Sequence, residues 1–203
     1  MTRPILTIGH SNHPIEFFID LLKRHSVTAL ADVRSHPYSR YLPQFCRDAL
    51  REILHEQGIA YVFLGRELGA RSQNPACYVQ GKVQYDHLAR EPLFIQGIER
   101  LVQGVKQYRI ALMCAEKDPI DCHRAILVSR HVVKAGLSVS HIHVGGELES
   151  HDTLETRLLG LLKIPEGDMF KSREDYIQDA YLLQGERIAY QDTRMLQPEV
   201  NPA

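Results

Sequence analysis

Short apolar runs alternating with segments of helical period constrain this chain more than any other feature. Ile5-Leu6-Thr7-Ile8 stops at Gly9, Thr28 to Val33 and Ala60 to Leu64 repeat the pattern, and Arg109 to Cys114 and Val139 to Val144 complete it. Runs of four to six apolar residues suit strands buried on both faces. Between them, Ile15, Phe18, Leu21 and Leu22 follow Pro14 at helical spacing, and Ala49, Leu50, Ile53 and Leu54 precede Gly58. Ile95, Ile98, Leu101, Val102 and Val105 mark a third helix, and Ala125 to Ala135 a fourth. This alternation predicts a Rossmann-like three-layer α/β domain with a mostly parallel five-stranded sheet and helices on both faces.

The rhythm holds over residues 1–147, interrupted by an insertion at 65–92 rich in Gly, Gln, Arg and Tyr. It breaks after Glu147, so residues 148–203 are expected to form a helical C-terminal extension or tail, helical over Leu154 to Leu162 and polar beyond. With 203 residues, one well-cored domain plus an extension fits better than two full domains. The net charge of −1 excludes a global basic field for non-specific nucleic-acid binding. No run approaches the roughly 18 apolar residues of a membrane span, and the first residues lack a signal-peptide core. A cytoplasmic protein is expected, in which four cysteines stay free thiols.

In an open parallel sheet, ligands bind beyond the carboxyl ends of the strands, where chain direction across the sheet reverses. The unusual residues gather at those ends. The first strand runs into Gly9-His10-Ser11, and the second into Asp32-Val33-Arg34-Ser35-His36 with Ser39 and Arg40 beyond. The fourth runs into Cys114-Ala115-Glu116, and the next helix opens on Asp121-Cys122-His123-Arg124. Together, Thr7-Ile8-Gly9-His10-Ser11, Asp32-Val33-Arg34 with Pro37 and Ser39, Leu68-Gly69, Cys114-Ala115-Glu116 and Cys122-His123-Arg124 resemble the bacterial and archaeal domain-of-unknown-function family numbered 488, over residues 5–146. Ala70 stands where that family often carries a second glycine. The resemblance implies an α/β fold and a shared site, without an activity.

The candidate catalytic residues are Cys122, Cys114, His10, Asp32 and Glu116. A thiol near a cation such as Arg124 has its thiolate favoured and becomes a nucleophile; the competing reading is a small buried hydrophobe. Zinc could take Cys114, Cys122, His123 and His10, but the Cys-x7-Cys-His spacing matches no standard zinc motif, so no metal is expected. Arg34 and Arg124, with His123, Ser11, Ser35 and Ser39, are the candidate substrate-binding residues, since a guanidinium grips phosphate or carboxylate in a fork. For Asp32 and Arg34 the competing reading is a mutual ion pair. His10 is an acid–base group or a turn-holding imidazole, and Glu116 a proton acceptor or the partner of Arg124. His141 and His143 read as packing or supporting residues. In the insertion, Tyr78, Tyr85, Arg71 and Gln73 suit either base stacking or a lid packed on its own domain.

Three function classes follow. The first is an enzyme acting on an anionic small molecule, such as a nucleotide, nucleoside or sulfur metabolite. Asp-Val-Arg followed later by a strand-end Cys is loosely similar to rhodanese-type sulfur transferases, but Ile120 stands where their compact loop would place Arg. The second is a nucleic-acid protein that takes a single nucleotide or base. The third is a non-catalytic ligand sensor. A homodimer formed through the C-terminal extension is an open alternative, no membrane partner is expected, and the cofactor is unknown.

Overall fold

The computed structural model of the chain describes residues 3–164 and 171–196. Along it run β1 (Ile5–Gly9), α1 (Ile15–Arg24), β2 (Ala29–Asp32), α2 (Arg47–Glu56) and β3 (Ala60–Phe63). The insertion folds into α3 (Gly65–Leu68), the hairpin β4 (Tyr78–Val79) and β5 (Lys82–Val83), and α4 (Tyr85–Leu88). Then come α5 (Pro92–Gly104), β6 (Ile110–Cys114), α6 (Arg130–Lys134), β7 (Val139–Ile142), β8 (Leu148–Ser150), α7 (His151–Leu162) and α8 (Arg173–Ile188).

The main sheet has the order β3-β2-β6-β1-β7-β8. Its first five strands are parallel, as expected from their apolar runs, and β8 adds a sixth, antiparallel to β7. With only Leu148-Glu149-Ser150 to offer, β8 is too short and polar to read as a strand from sequence; it forms because β7 leaves an unpaired edge.

Alternation along the strands divides the core. Leu6, Ile8, Leu30, Ala111 and Met113 meet Phe18 and Leu22 of α1 and Leu50 and Leu54 of α2. Ile5, Ala29, Ala31, Ile110 and Leu112 face the other way, onto Phe94 and Leu101 of α5 and Val132 of α6. That second layer departs from the expected regular helix over Ala125 to Ala135. Residues Arg124–Ser129 form a π-helical stretch, and the Ser129 hydroxyl donates to the Arg124 carbonyl at 2.7 Å, five residues back. The wider turn draws the start of this helix inward; such bulges recur at functional sites.

The C-terminal extension is more ordered than a polar tail. Helix α8 opens on a capping box in which Ser172 and Asp175 satisfy each other's backbone N–H groups. Tyr176, Ile177 and Ala180 of α8 and Leu154 and Leu158 of α7 pack on Ile120 and Ile126 beside β6. The expected tail residues 165–170 and 197–203 lie outside the described residues. Beyond α8 the chain reaches the insertion, where Val83 N–H donates to the Tyr190 carbonyl at 3.0 Å. Among the described residues, no helix is long and apolar enough to cross a membrane.

Candidate functional site

The connection leaving β1 passes β6 to reach β2, and the connection leaving β6 passes β1 to reach β7. The two exits leave on opposite faces of the sheet, toward α1 on one and α6 on the other, which opens a crevice at the carboxyl ends of β1 and β6. Backbone bonds zip its floor: His10 N–H donates to the Cys114 carbonyl and Ser11 N–H to the Ala115 carbonyl, both at 2.9 Å. Gly9 makes this approach feasible, because a Cβ there would lie 1.9 Å from the Glu116 carbonyl oxygen.

Three clefts meet along this rim. One of about 250 Å³ is lined by Arg34, Arg71, Cys114, Glu116, Asp121 and His123, among others. A second of about 380 Å³ is lined by His10, Ser11, Arg34, Tyr38 and Ser39. Ser35, His36, Arg71 and Tyr190 connect the first to a third, of about 840 Å³, under the insertion.

Asp32 and Arg34 form a rigid frame at the end of β2. The fully buried Asp32 carboxylate accepts from Arg34 Nε at 2.9 Å and from an Arg34 terminal nitrogen at 2.7 Å, as well as from Arg34 N–H and the Tyr61 hydroxyl. Burial opposes the Arg34 charge, but the bonds to Asp32 outweigh it and raise the guanidinium pKa. Burial, reinforced by the Asp32 charge, likewise pushes the Tyr61 hydroxyl up. This is the mutual pair, but buried and two-pronged rather than a surface contact. With four donors on it, Asp32 has no capacity left to act as a base.

His10 is tied on both sides. Its Nδ1 donates to the Ser11 carbonyl at 2.9 Å, which leaves Nε2 to accept from Arg34 at 3.1 Å. Its ring stacks on Phe45, with centroids 4.4 Å apart. Burial, followed by the Arg34 charge, lowers its pKa to about 4, so the imidazole is neutral at physiological pH. Ser35 Oγ accepts from Arg71 N–H and Ser39 Oγ from Leu42 N–H, each at 3.1 Å; both hydroxyls hold loops at the cleft edge.

The loop from β6 brings four reactive groups together. Cys122 Sγ lies 2.9 Å from Glu116 Oε2. His123 Nδ1 faces Cys114 Sγ at 3.7 Å and Cys122 Sγ at 3.9 Å. His123 Nε2 donates to the Val33 carbonyl at 3.0 Å, so Nδ1 carries the lone pair in the neutral ring. Burial disfavours a Cys122 thiolate, yet the Cys114 thiol, the Arg124 charge and His123 overcome that and lower its pKa well below the usual thiol range. Burial and the neighbouring Cys122 push Cys114 the other way. Glu116 is raised by burial and then by the Cys122 charge. The cluster therefore pairs a thiol that ionises more readily than usual with a carboxyl that retains its proton more readily than usual. The sulfur and Nδ1 atoms of Cys114, Cys122 and His123 all lie within 4.8 Å of one another and could hold a metal ion. His10, tied to Arg34, stands apart from this donor set.

Arg124 occupies a different place from the one its sequence position suggests. It is fully buried, and its two terminal nitrogens donate to the Glu116 and Lys117 carbonyls at 2.7 and 3.2 Å. Of the two roles open to Glu116, pairing of its carboxylate with Arg124 is replaced by this bond to the Glu116 backbone. Arg124 thus clamps the loop from beneath. Of the two arginines expected to hold a substrate, Arg34 lines the clefts. His141 is buried away from the rim, while His143 pairs with Glu149 at 2.9 Å.

Tyr190, from the C-terminal extension, was not among the expected site residues. The Arg71 guanidinium lies over its ring at 4.3 Å, so the extension supplies a wall of the cleft. No motif around Tyr190 signals this; the backbone bonds from Val83 N–H to the Tyr190 carbonyl and from Asp192 N–H to the Gly81 carbonyl carry the segment there.

The family model described as Domain of unknown function DUF488 matches residues 14–131. That is more than half of the chain, which therefore belongs to this family. No curated protein and no solved structure matches the chain.

Proposed function

We propose that this member of the DUF488 family is an enzyme acting on an anionic small molecule, a nucleotide or a sulfur metabolite, in the cleft between Arg34-Ser35-His36, Arg71 and Cys114-Ala115-Glu116. The observation that carries this reading is the convergence of two thiols, an imidazole and a carboxyl at the wall of an open cleft. A cluster with perturbed proton affinities in a cleft is the usual arrangement of a reactive centre.

In this reading Arg34 binds the anion. Its NH1 has a second hydrogen beyond the bond to His10, and the Asp32 clamp fixes its direction in advance. Arg71 adds charge from the opposite wall. Cys114 and Cys122 supply sulfur at the reacting centre, while His123 and Glu116 hold and move protons. His10, neutral and oriented, keeps the Arg34 fork in place.

Thermal-shift screening with nucleoside monophosphates, inorganic phosphate and low-molecular-weight thiols identifies the ligand class; a raised melting temperature with one class is expected. The turnover assay then follows from that ligand. The C114S/C122S double variant should lose turnover while its circular dichroism stays native. Full activity in that variant refutes the role of the sulfur groups.

Tyr38 favours a second reading. It is 76% exposed on the edge of the cleft of about 380 Å³, where an aromatic ring can stack on a base. The substrate would then be one nucleotide of a nucleic-acid strand. Gel-shift titration at two salt concentrations should show salt-sensitive binding that weakens in Y38A. Absence of a shift at the lower salt removes this reading.

A further inference from the structure

We propose that Cys114, Cys122 and His123 form a zinc site whose fourth position opens into the cleft of about 250 Å³. This rests on the reading of that cleft as the active site, and it specifies what the sulfur atoms do there: they hold a metal.

Distances carry the case. Tetrahedral zinc with Zn–S of about 2.3 Å and Zn–N of about 2.0 Å sets its sulfur and nitrogen ligands roughly 3.6 Å apart. His123 Nδ1 stands 3.7 Å from Cys114 Sγ and 3.9 Å from Cys122 Sγ. The alternative, a pair of thiol–imidazole hydrogen bonds, fits less well. Nδ1 has one lone pair, or one proton when the ring is charged, and either can point at only one sulfur at a time. One nitrogen nearly equidistant from two sulfurs, all three within 4.8 Å of one another, is the arrangement of ligands around a common centre.

The surroundings are those a metal centre requires. His123 Nε2 donates to the Val33 carbonyl at 3.0 Å. That bond fixes the tautomer and turns Nδ1 toward the sulfurs, the usual support of a metal-bound imidazole. Arg124 N–H donates to Cys122 Sγ at 3.4 Å, a contact that stabilises a ligating thiolate. Two thiolates and one dication sum to zero charge, so this buried site holds a neutral assembly rather than an isolated ion. The donor set of two sulfurs and one nitrogen matches zinc, which is borderline soft, better than magnesium or calcium.

Three protein ligands leave one tetrahedral position. Closed structural sites use four, whereas sites that keep a position open are catalytic. Cys114 and His123 both line the cleft, and so does Glu116, which lies outside the donor set. A water in the fourth position would be acidified by the metal, with Glu116 on the same wall to accept its proton. Alternatively, the anionic oxygen of the substrate takes that position directly.

Cobalt(II) is the probe, because it reports ligand type and geometry without any assay of activity. The reduced full-length protein, stripped with chelator, is titrated with Co²⁺ and then with Zn²⁺. The expected result is a thiolate-to-cobalt charge-transfer band with intense tetrahedral d–d bands, saturating at one equivalent and bleached by zinc. C114S, C122S and H123A should each weaken zinc binding at least tenfold in competition with a chromogenic chelator, while C46S, away from the site, should bind as the unaltered chain does. Absence of the band in the unaltered chain, which needs no variant to fold, overturns the zinc site. So does zinc binding by the C114S/C122S double variant as tight as that of the unaltered chain. The anion thermal shift, measured on the same metal-free protein, separates the two ideas: a shift without a cobalt band removes the metal and leaves the cleft as the binding site.

Discussion

Acid should unlatch the C-terminal helices through a chain of buried histidines. Tyr181 donates to Glu155 at 2.9 Å, so its oxygen must accept from His151 Nε2, 2.8 Å away. His151 Nδ1 is then bare and accepts from His141 Nε2 at 3.0 Å, and His141 Nδ1 in turn accepts from the Thr7 hydroxyl at 2.8 Å. Every donor in this line from β1 to α8 has one acceptor, provided that both rings are neutral; a proton on His151 Nδ1 would face the His141 Nε2–H, donor against donor, and one on His141 Nδ1 would take away the acceptor of the Thr7 hydroxyl. Burial accordingly lowers the His151 pKa from 6.5 to about 4, and burial followed by the His151 charge sends His141 well below its ordinary value. Because these folded-state values lie below the unfolded one, the unfolded chain takes up protons first. The stabilisation is complete above pH 6.5 and is lost as pH falls toward 4. The depression at His151 corresponds to roughly 3 kcal/mol in full, of which about 2 kcal/mol disappears between about pH 7 and pH 5. The perturbation is H151Q, since an amide can accept from His141 and donate to Tyr181 without titrating. Urea unfolding followed by circular dichroism at several pH values should show the unaltered chain losing about 2 kcal/mol more over that interval than H151Q does. Parallel stability–pH curves for the two proteins would refute the neutral-relay argument.

Two further outcomes test the frame of the site. D32A leaves the Arg34 guanidinium buried without its counter-charge and should cost about 3–5 kcal/mol in urea unfolding, whereas Y61F, which removes one bond to the same carboxylate, should cost about 2 kcal/mol; equal effects would show that the pair is not the dominant contact. G9A forces a Cβ to 1.9 Å from the Glu116 carbonyl, so it should cost about 1–3 kcal/mol and also weaken cobalt binding at the neighbouring cysteines. A chain that accepts alanine there with no change in melting temperature would show that the β1–β6 floor is not tight.

The parallel strands were legible because burial on both faces leaves an unbroken apolar run. Helix α8 was not, since its inward face is made of Tyr176, Ile177, Ala180, Tyr181 and Gln184, a set whose polar tips hide the periodicity. The π-helical turn was also hidden. Arg124-Ala125-Ile126-Leu127-Val128-Ser129 is buried on every side, so its period cannot be told apart from that of an α-helix. At the site, the gathering of Gly9-His10-Ser11, Asp32-Val33-Arg34 and Cys114 to Arg124 on one rim followed from strand direction alone. Which of these groups remain reactive did not follow, because that depends on hydrogen bonds between residues far apart in sequence. A carboxylate beside an arginine reads as a candidate base until Tyr61 and three Arg34 donors are found on it, and an arginine in a cysteine-rich motif reads as an anion ligand until it is found clamping two carbonyls.

Hydrogen bonding divides the candidate groups into two sets. Asp32 is saturated, both nitrogens of His10 are engaged, the hydroxyls of Ser35 and Ser39 accept backbone N–H groups, and the terminal nitrogens of Arg124 are bound to the loop. Asp32 and His10 could not exchange a proton without dismantling their own supports, while the buried Arg124 and the two serine hydroxyls hold the loops in place. Cys114, Cys122, Glu116 and His123 Nδ1 are different. Apart from the Arg124 N–H bond to Cys122 Sγ, their side-chain contacts at these atoms are with one another, and three of them line the open cleft. A buried polar cluster of this kind is expensive unless something completes it. The proposed zinc ion would complete it where the observed distances leave room, and an anion held by Arg34 would then lie beside the position that the metal keeps open.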